Sequence, residues 1–127
     1  METALHPRDV LEGIFYFYPD DTFENNRETI HTAIYKIREK HFDLLGDITF
    51  RKHILFPRSR VLDELLSSLQ PGLLFKRNPT YDTYEIKRIN LKKSWETYLK
   101  EEFIGKEDEL KSMAAEFKNL MTGINNA

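Results

Sequence analysis

The stretch FPRSRVLDELLSSLQPGLLFKRNPTYDTYEIKR, Phe56 to Arg88, constrains the fold of this chain more than any other part of it. Pro57 blocks continuity with anything helical before it, and Ser59 is a residue type that caps helices. Val61, Leu62, Leu65, Leu66 and Leu69 then recur at the spacing of one helix face, and Pro71-Gly72 stops that helix. Leu73–Lys76 and Tyr81–Ile86 are rich in aromatic and β-branched residues and read as strands, with Asn78-Pro79-Thr80 as the turn between them. The unit is one amphipathic helix followed at once by a hairpin.

Helices flank it on both sides. Pro7 opens a first helix, where its missing N–H costs nothing, and Val10, Leu11, Ile14, Phe15 and Tyr18 share one apolar face before Pro19-Asp20-Asp21 ends it. Asn25 with Glu28 resembles a capping box for a second helix. Ile30, Ala33, Ile34, Ile37 and His41 form the stripe of that helix, and Gly46 is its expected stop. Asp47–Phe56 is ambiguous: Ile48 and Phe50 alternate as in a short strand that could join the hairpin as a third strand. Leu91, Trp95, Tyr98, Leu99 and Phe103 predict a fourth helix ending at Gly105, and Leu110, Met113, Ala114, Phe117, Leu120 and Met121 a fifth, up to Gly123.

The expected fold is therefore α+β and mostly helical: a winged helix-turn-helix-like three-helix core with a β-hairpin wing, followed by two C-terminal helices. Residues 1–89 would form the winged-helix-like domain, and residues 90–127 a helical extension that packs on it or mediates dimerisation. The run RVLDELLSSLQPGLLFKR looks like the recognition-helix and wing region of bacterial winged-helix regulators, and the architecture is similar over roughly residues 7–88. That resemblance implies duplex DNA as ligand and C-terminal helices that make a homodimer. One departure stands against it: the strand usually found between the first two helices is not evident, and the only candidate follows the second.

Charge points the same way. The net charge of −2 divides unevenly along the chain. Residues 1–26 carry one base and six acids, residues 27–93 carry fourteen bases and eight acids, and residues 94–127 carry four bases and seven acids. The helix–hairpin unit lies in the basic third, and such asymmetry bears on partners rather than on fold. In this architecture the third helix enters the major groove while flanking Lys and Arg hold phosphates. The residues expected to do so are Arg51, Lys52, Arg58 and Arg60 before and at the start of the helix, and Lys76 and Arg77 in the hairpin. Asp63 and Glu64 on the outward side of the helix argue against it as a reader of bases. An ordinary solvated face is the bland reading of the same bases.

The alternative is a non-catalytic protein–protein interaction module using the aromatic first helix and the amphipathic C-terminal helix. Phe15, Tyr16, Phe17 and Tyr18 are consecutive and so point all round the first helix. Two of them need a second packing surface, either the C-terminal helices or a partner chain. Phe15, Phe17, Phe117 and Leu120 are the expected dimer or partner residues. Base stacking on Tyr16 is a sharper and less favoured reading.

Several function classes are read as absent. The chain has no cysteine, which excludes disulfides and Cys-ligated metals. His6, His31, His41 and His53 are scattered, and neither His31 nor His41 has the spacing of a metal ligand. Asp20-Asp21 with Glu24 lacks the alternation and central glycine of a calcium loop. No nucleophile elbow or phosphate-cradling glycine loop occurs. The reading is no enzyme, no metal, no cofactor and no membrane span, the longest apolar run being Ile14–Tyr18. With no secretory signal at the N-terminus, the expected location is the cytoplasm.

Overall fold

In a computed structural model, the described residues are 6–52, 55–70, 72–76 and 83–122, with only the backbone described at 75 and 76. Among the described residues the chain is mostly helical with one small antiparallel sheet. Helix α1 (Pro7–Phe17) leads to strand β1 (Thr22–Glu24) and helix α2 (Arg27–Lys40), which is followed by the single turn α3 (Phe42–Leu45). After an irregular loop come α4 (Arg60–Leu69), β2 (Leu74–Lys76) and β3 (Thr83–Ile86). A long helix follows in three parts, α5 (Arg88–Ser94), a π-helical turn (Trp95–Leu99) and α6 (Lys100–Glu102), and α7 (Glu107–Thr122) ends the described chain.

The third strand is not where the sequence pattern pointed. Ile48 is buried and Phe50 packs against the core, but neither lies in a strand. The sheet order is β1-β3-β2, with Phe23 opposite Tyr84 in one pair and Phe75 opposite Glu85 in the other. A strand therefore does stand between the first two helices, contrary to the departure noted from the sequence. β1 is three residues long, and its alternation reduces to buried Phe23 between two exposed neighbours. Pairing with β3, some sixty residues away, makes it a strand rather than its own pattern.

Local signals explain most helix ends. Ser59 caps α4, its hydroxyl accepting the Leu62 N–H, and Leu62, Leu65, Leu66 and Leu69 are buried. The cap of α2 is Asn26 rather than Asn25, its side chain accepting the Thr29 N–H. The turn after α6 uses Gly105 at a φ of 82°, a left-handed conformation in which a Cβ is strained. The hairpin tip expected at Asn78-Pro79-Thr80 lies outside the described residues.

One core joins the two halves of the chain. α7 packs on α1 and α2, and Phe117 sits edge-on to Phe15, Tyr18 and Phe23. The four consecutive aromatics of α1 divide between two partners. Phe15 stacks on Phe23 and Tyr18 meets it edge-on, whereas Tyr16 stacks on Trp95 at 4.9 Å and Phe17 meets the same indole edge-on. The second packing surface needed by α1 is thus the π-helical turn between α5 and α6 of the same chain. Arg88 closes the end of α1: its guanidinium donates to the carbonyls of Phe15, Tyr16, Tyr18 and Asp20. It therefore faces inward, occupied with carbonyls at the end of α1 and in the turn that follows it.

Candidate nucleic-acid interface

A cleft of about 490 Å³ opens between α2, the loop before α4 and the first turn of α4. Arg27, Arg51, Arg58 and Arg60 line it, and Asp63 is its one acidic lining residue. Each arginine arrives there for a separate local reason.

Arg51 and Arg58 exchange both backbone hydrogen bonds, Arg51 N–H to Arg58 O at 2.7 Å and Arg58 N–H to Arg51 O at 2.9 Å. Residues paired in this way across antiparallel backbone project side chains to the same face, so the pinch that closes the 52–57 loop also brings two guanidinium groups together. Arg58 lies over the Phe56 ring at 5.2 Å, and its Nε is buried with no hydrogen-bond partner among the described residues. Arg60 is the first residue of α4 and its side chain is 91% exposed, with only a loose 3.5 Å pair to Glu64.

Arg27, at the start of α2, is held by Asp63 of α4 through two hydrogen bonds, Nη2 to Oδ2 at 2.6 Å and Nε to Oδ1 at 3.2 Å. His31, fully buried one turn further along α2, completes the link. The Ser59 backbone N–H can only donate, so His31 Nδ1 accepts it at 3.0 Å and the ring proton resides on Nε2, donated to Asp63 Oδ1 at 2.8 Å. Burial lowers the His31 pKa below its ordinary value; Asp63 works against that, while the Arg27 and Arg58 charges reinforce it. Burial alone would raise the Asp63 pKa, but its bonds from Arg27 and His31 outweigh this and hold it below the usual carboxylate range. Asp63 is thus a fixed, neutralised carboxylate. The sequence-level objection that it would repel phosphate from α4 loses much of its force, and Glu64 alone keeps it.

Of the bases singled out from sequence, Arg51, Arg58 and Arg60 are brought together. Lys52 is exposed but does not line the cleft. Lys76 is in β2, where its backbone pairs with Tyr84, and Arg77 lies outside the described residues. Arg27 was missed. The available signal was a base in the first turn of a helix, where the macrodipole disfavours it; such a residue implies an acid or anion beyond its own helix.

The expected partner residues divide. Phe15 and Phe117 are 1% and 0% exposed, so the chain itself covers them and they offer no surface to a second molecule. Phe17 and Leu120 are partly buried. Among the described residues no helix is long and apolar enough to cross a membrane, and no group of three or more His, Asp or Glu side chains could hold a metal ion. No known family model matches the sequence, and neither the curated proteins nor the solved structures compared with it include a match.

Proposed function

We propose that this chain is a duplex DNA-binding protein of the winged helix-turn-helix kind, a small transcriptional regulator rather than an enzyme, acting in the cytoplasm without cofactor or metal. The observation that carries the reading is the convergence of Arg27, Arg51, Arg58 and Arg60 at the N-terminal end of α4. The strand order β1-β3-β2, with β1 between the first two helices and a hairpin directly after α4, supports the same architecture.

In this reading α4 approaches the major groove and the arginines at its start hold the sugar–phosphate backbone. Arg60, Glu64, Ser67 and Ser68 are the exposed residues of α4, away from its buried leucine face. They make a modest base reader, because Asp63 is committed to Arg27 and His31 and the Ser68 hydroxyl is committed to Leu65 O and Arg8. Phosphate contacts therefore dominate affinity, and sequence preference is weak.

A homodimer belongs to the proposal, since paired recognition helices reach two half-sites on one face of a duplex. Its interface is not built on Phe15 or Phe117. The alternative of a protein-interaction module using the aromatic first helix and the amphipathic C-terminal helix is weaker on the α1 side, where Tyr16 and Phe17 already pack against Trp95, and rests on the partly buried Leu120 and Met121 of α7.

The test is an electrophoretic shift titration against random duplex over a series of salt concentrations. Binding that weakens steeply with salt is expected; no shift at low salt contradicts the reading.

A further inference from the structure

Within the basic cleft one place is shaped for a single anion. The first turn of α4 leaves two donors open. The Ser59 hydroxyl takes the Leu62 N–H, the Ser59 carbonyl takes the Asp63 N–H, and His31 takes the Ser59 N–H. The N–H groups of Arg60 and Val61, both cleft-lining residues, have no acceptor among the described residues. Arg60 adds a guanidinium on a nearly free side chain. Arg51 and Arg58 flank the same opening, aligned by their shared backbone bridge. The Arg58 guanidinium is held over Phe56, and its buried Nε lacks a partner among the described residues. A buried donor left unmatched is costly, and three like charges gathered at the mouth of one hollow repel one another unless an anion enters it. Arg27, the fourth base, is already matched by Asp63 and forms a wall rather than a donor.

We propose that this cleft is a seat for one phosphate group, bound by the guanidinium groups of Arg51, Arg58 and Arg60 and by the Arg60 and Val61 backbone N–H groups. The planar forks of arginine suit the tetrahedral oxygens of phosphate, and a helix start presents its N–H groups to an anion with the dipole in its favour. The seat rests on the phosphate-binding part of the reading above, yet its chemistry is the same for a backbone phosphodiester and for a free phosphate or phosphomonoester.

Inorganic phosphate titrated at constant ionic strength into the full chain, followed by amide chemical shifts, separates these cases. Saturable shifts are expected at Arg51, Arg60 and Val61. The double variant Arg51→Gln/Arg60→Gln changes two exposed side chains, so it should remain folded and weaken phosphate by about tenfold or more, the scale of one lost charge-assisted hydrogen bond. Lys92→Gln, an exposed base elsewhere, should leave it unchanged. Random duplex without terminal phosphates is titrated in parallel. Saturable phosphate binding at the cleft together with duplex binding supports the seat with a backbone phosphate as ligand. Phosphate binding without duplex binding supports the seat and removes the DNA reading. Duplex binding with no saturable phosphate response at these amides overturns the seat and leaves the DNA reading standing. Shifts of equal size in the double variant, or no response to either ligand, also overturn it.

Discussion

His31 Nε2–H donates to Asp63 Oδ1 at 2.8 Å, tying the buried side of α2 to the first turn of α4. The ring is fully buried, edge-on to Phe50 and Phe56, and its other nitrogen holds the Ser59 N–H. One neutral imidazole thereby fixes the loop that carries Arg58 and the helix start that carries Arg60. Protonation at Nδ1 would set an N–H against the Ser59 N–H, so the folded chain favours the neutral ring.

That relationship sets a pH dependence. The His31 pKa is lowered in the folded chain, so the unfolded chain binds the proton more readily. The contribution of His31 to stability is complete above about pH 6.5 and is lost as pH falls below it toward the folded value. His31→Gln should cost about 1–3 kcal/mol near neutral pH, because the Ser59 N–H or Asp63 loses its matched partner. Urea unfolding of both proteins from about pH 7.5 to 5 checks this; the gap between wild type and variant should narrow as the pH falls.

Glu102 acts in the opposite sense. Partial burial and the adjacent Asp9 and Glu12 carboxylates raise its pKa to about 7. A carboxyl raised above its unfolded value stabilises the fold at low pH, and that contribution disappears as pH rises through about 7. Glu102→Gln should therefore unfold at a higher temperature than wild type at about pH 8, with little difference at about pH 4. Melting curves at the two pH values test it.

Arg88 is predicted to act on stability and not on ligand binding. Its guanidinium bonds two carbonyls in the last turn of α1 and two just beyond it. Arg88→Ala should destabilise the chain by about 2–4 kcal/mol, the sum of charge-assisted bonds lost at a helix end. Lysine should rescue only part of this, since it lacks the planar fork. Denaturant midpoints for the two variants, with duplex affinity measured on the folded fraction, distinguish this role from a phosphate contact.

Phe117→Ala should cost about 3–5 kcal/mol, the scale of removing a fully buried aromatic ring. The loss should not depend on protein concentration, because Phe117 packs on Phe15, Tyr18 and Phe23 of its own chain. Unfolding curves at two concentrations tenfold apart decide between a core residue and an interface residue; a loss confined to low concentration would indicate the latter.

Asp63→Asn should raise duplex affinity while lowering stability. The substitution releases Arg27 from a two-point ion pair and removes one negative charge from the cleft, adding up to about 0.9 to the salt slope of binding. Anisotropy titrations of wild type and variant at matched salt measure the change.

Residues whose environment is local were legible in the sequence. The Ser59 cap, the leucine face of α4, the two hairpin strands and the α7 stripe all follow from periods and caps, and they recur in the structure with shifts of a residue or two. Features set by distant partners were not. β1 exists because Phe23 meets Tyr84 across the sheet. The π-helical turn receives Tyr16 and Phe17 from α1, and no spacing in WETYL announces it. Arg51, Arg58 and Arg60 were visible as bases, but their convergence depends on a two-bond backbone bridge and on His31 gripping the start of α4. Arg27 lay outside the set because its partner Asp63 is thirty-six residues away.

The most direct test of the account is the slope of log affinity against log salt for random duplex, measured for wild type and Arg60→Gln between about 50 and 200 mM salt. Arg60 is exposed and supports no buried contact, so the variant keeps its fold. The account predicts measurable binding at low salt and a slope reduced by about one in the variant, as the loss of one phosphate contact requires. No binding at low salt, or an unchanged slope, would contradict it.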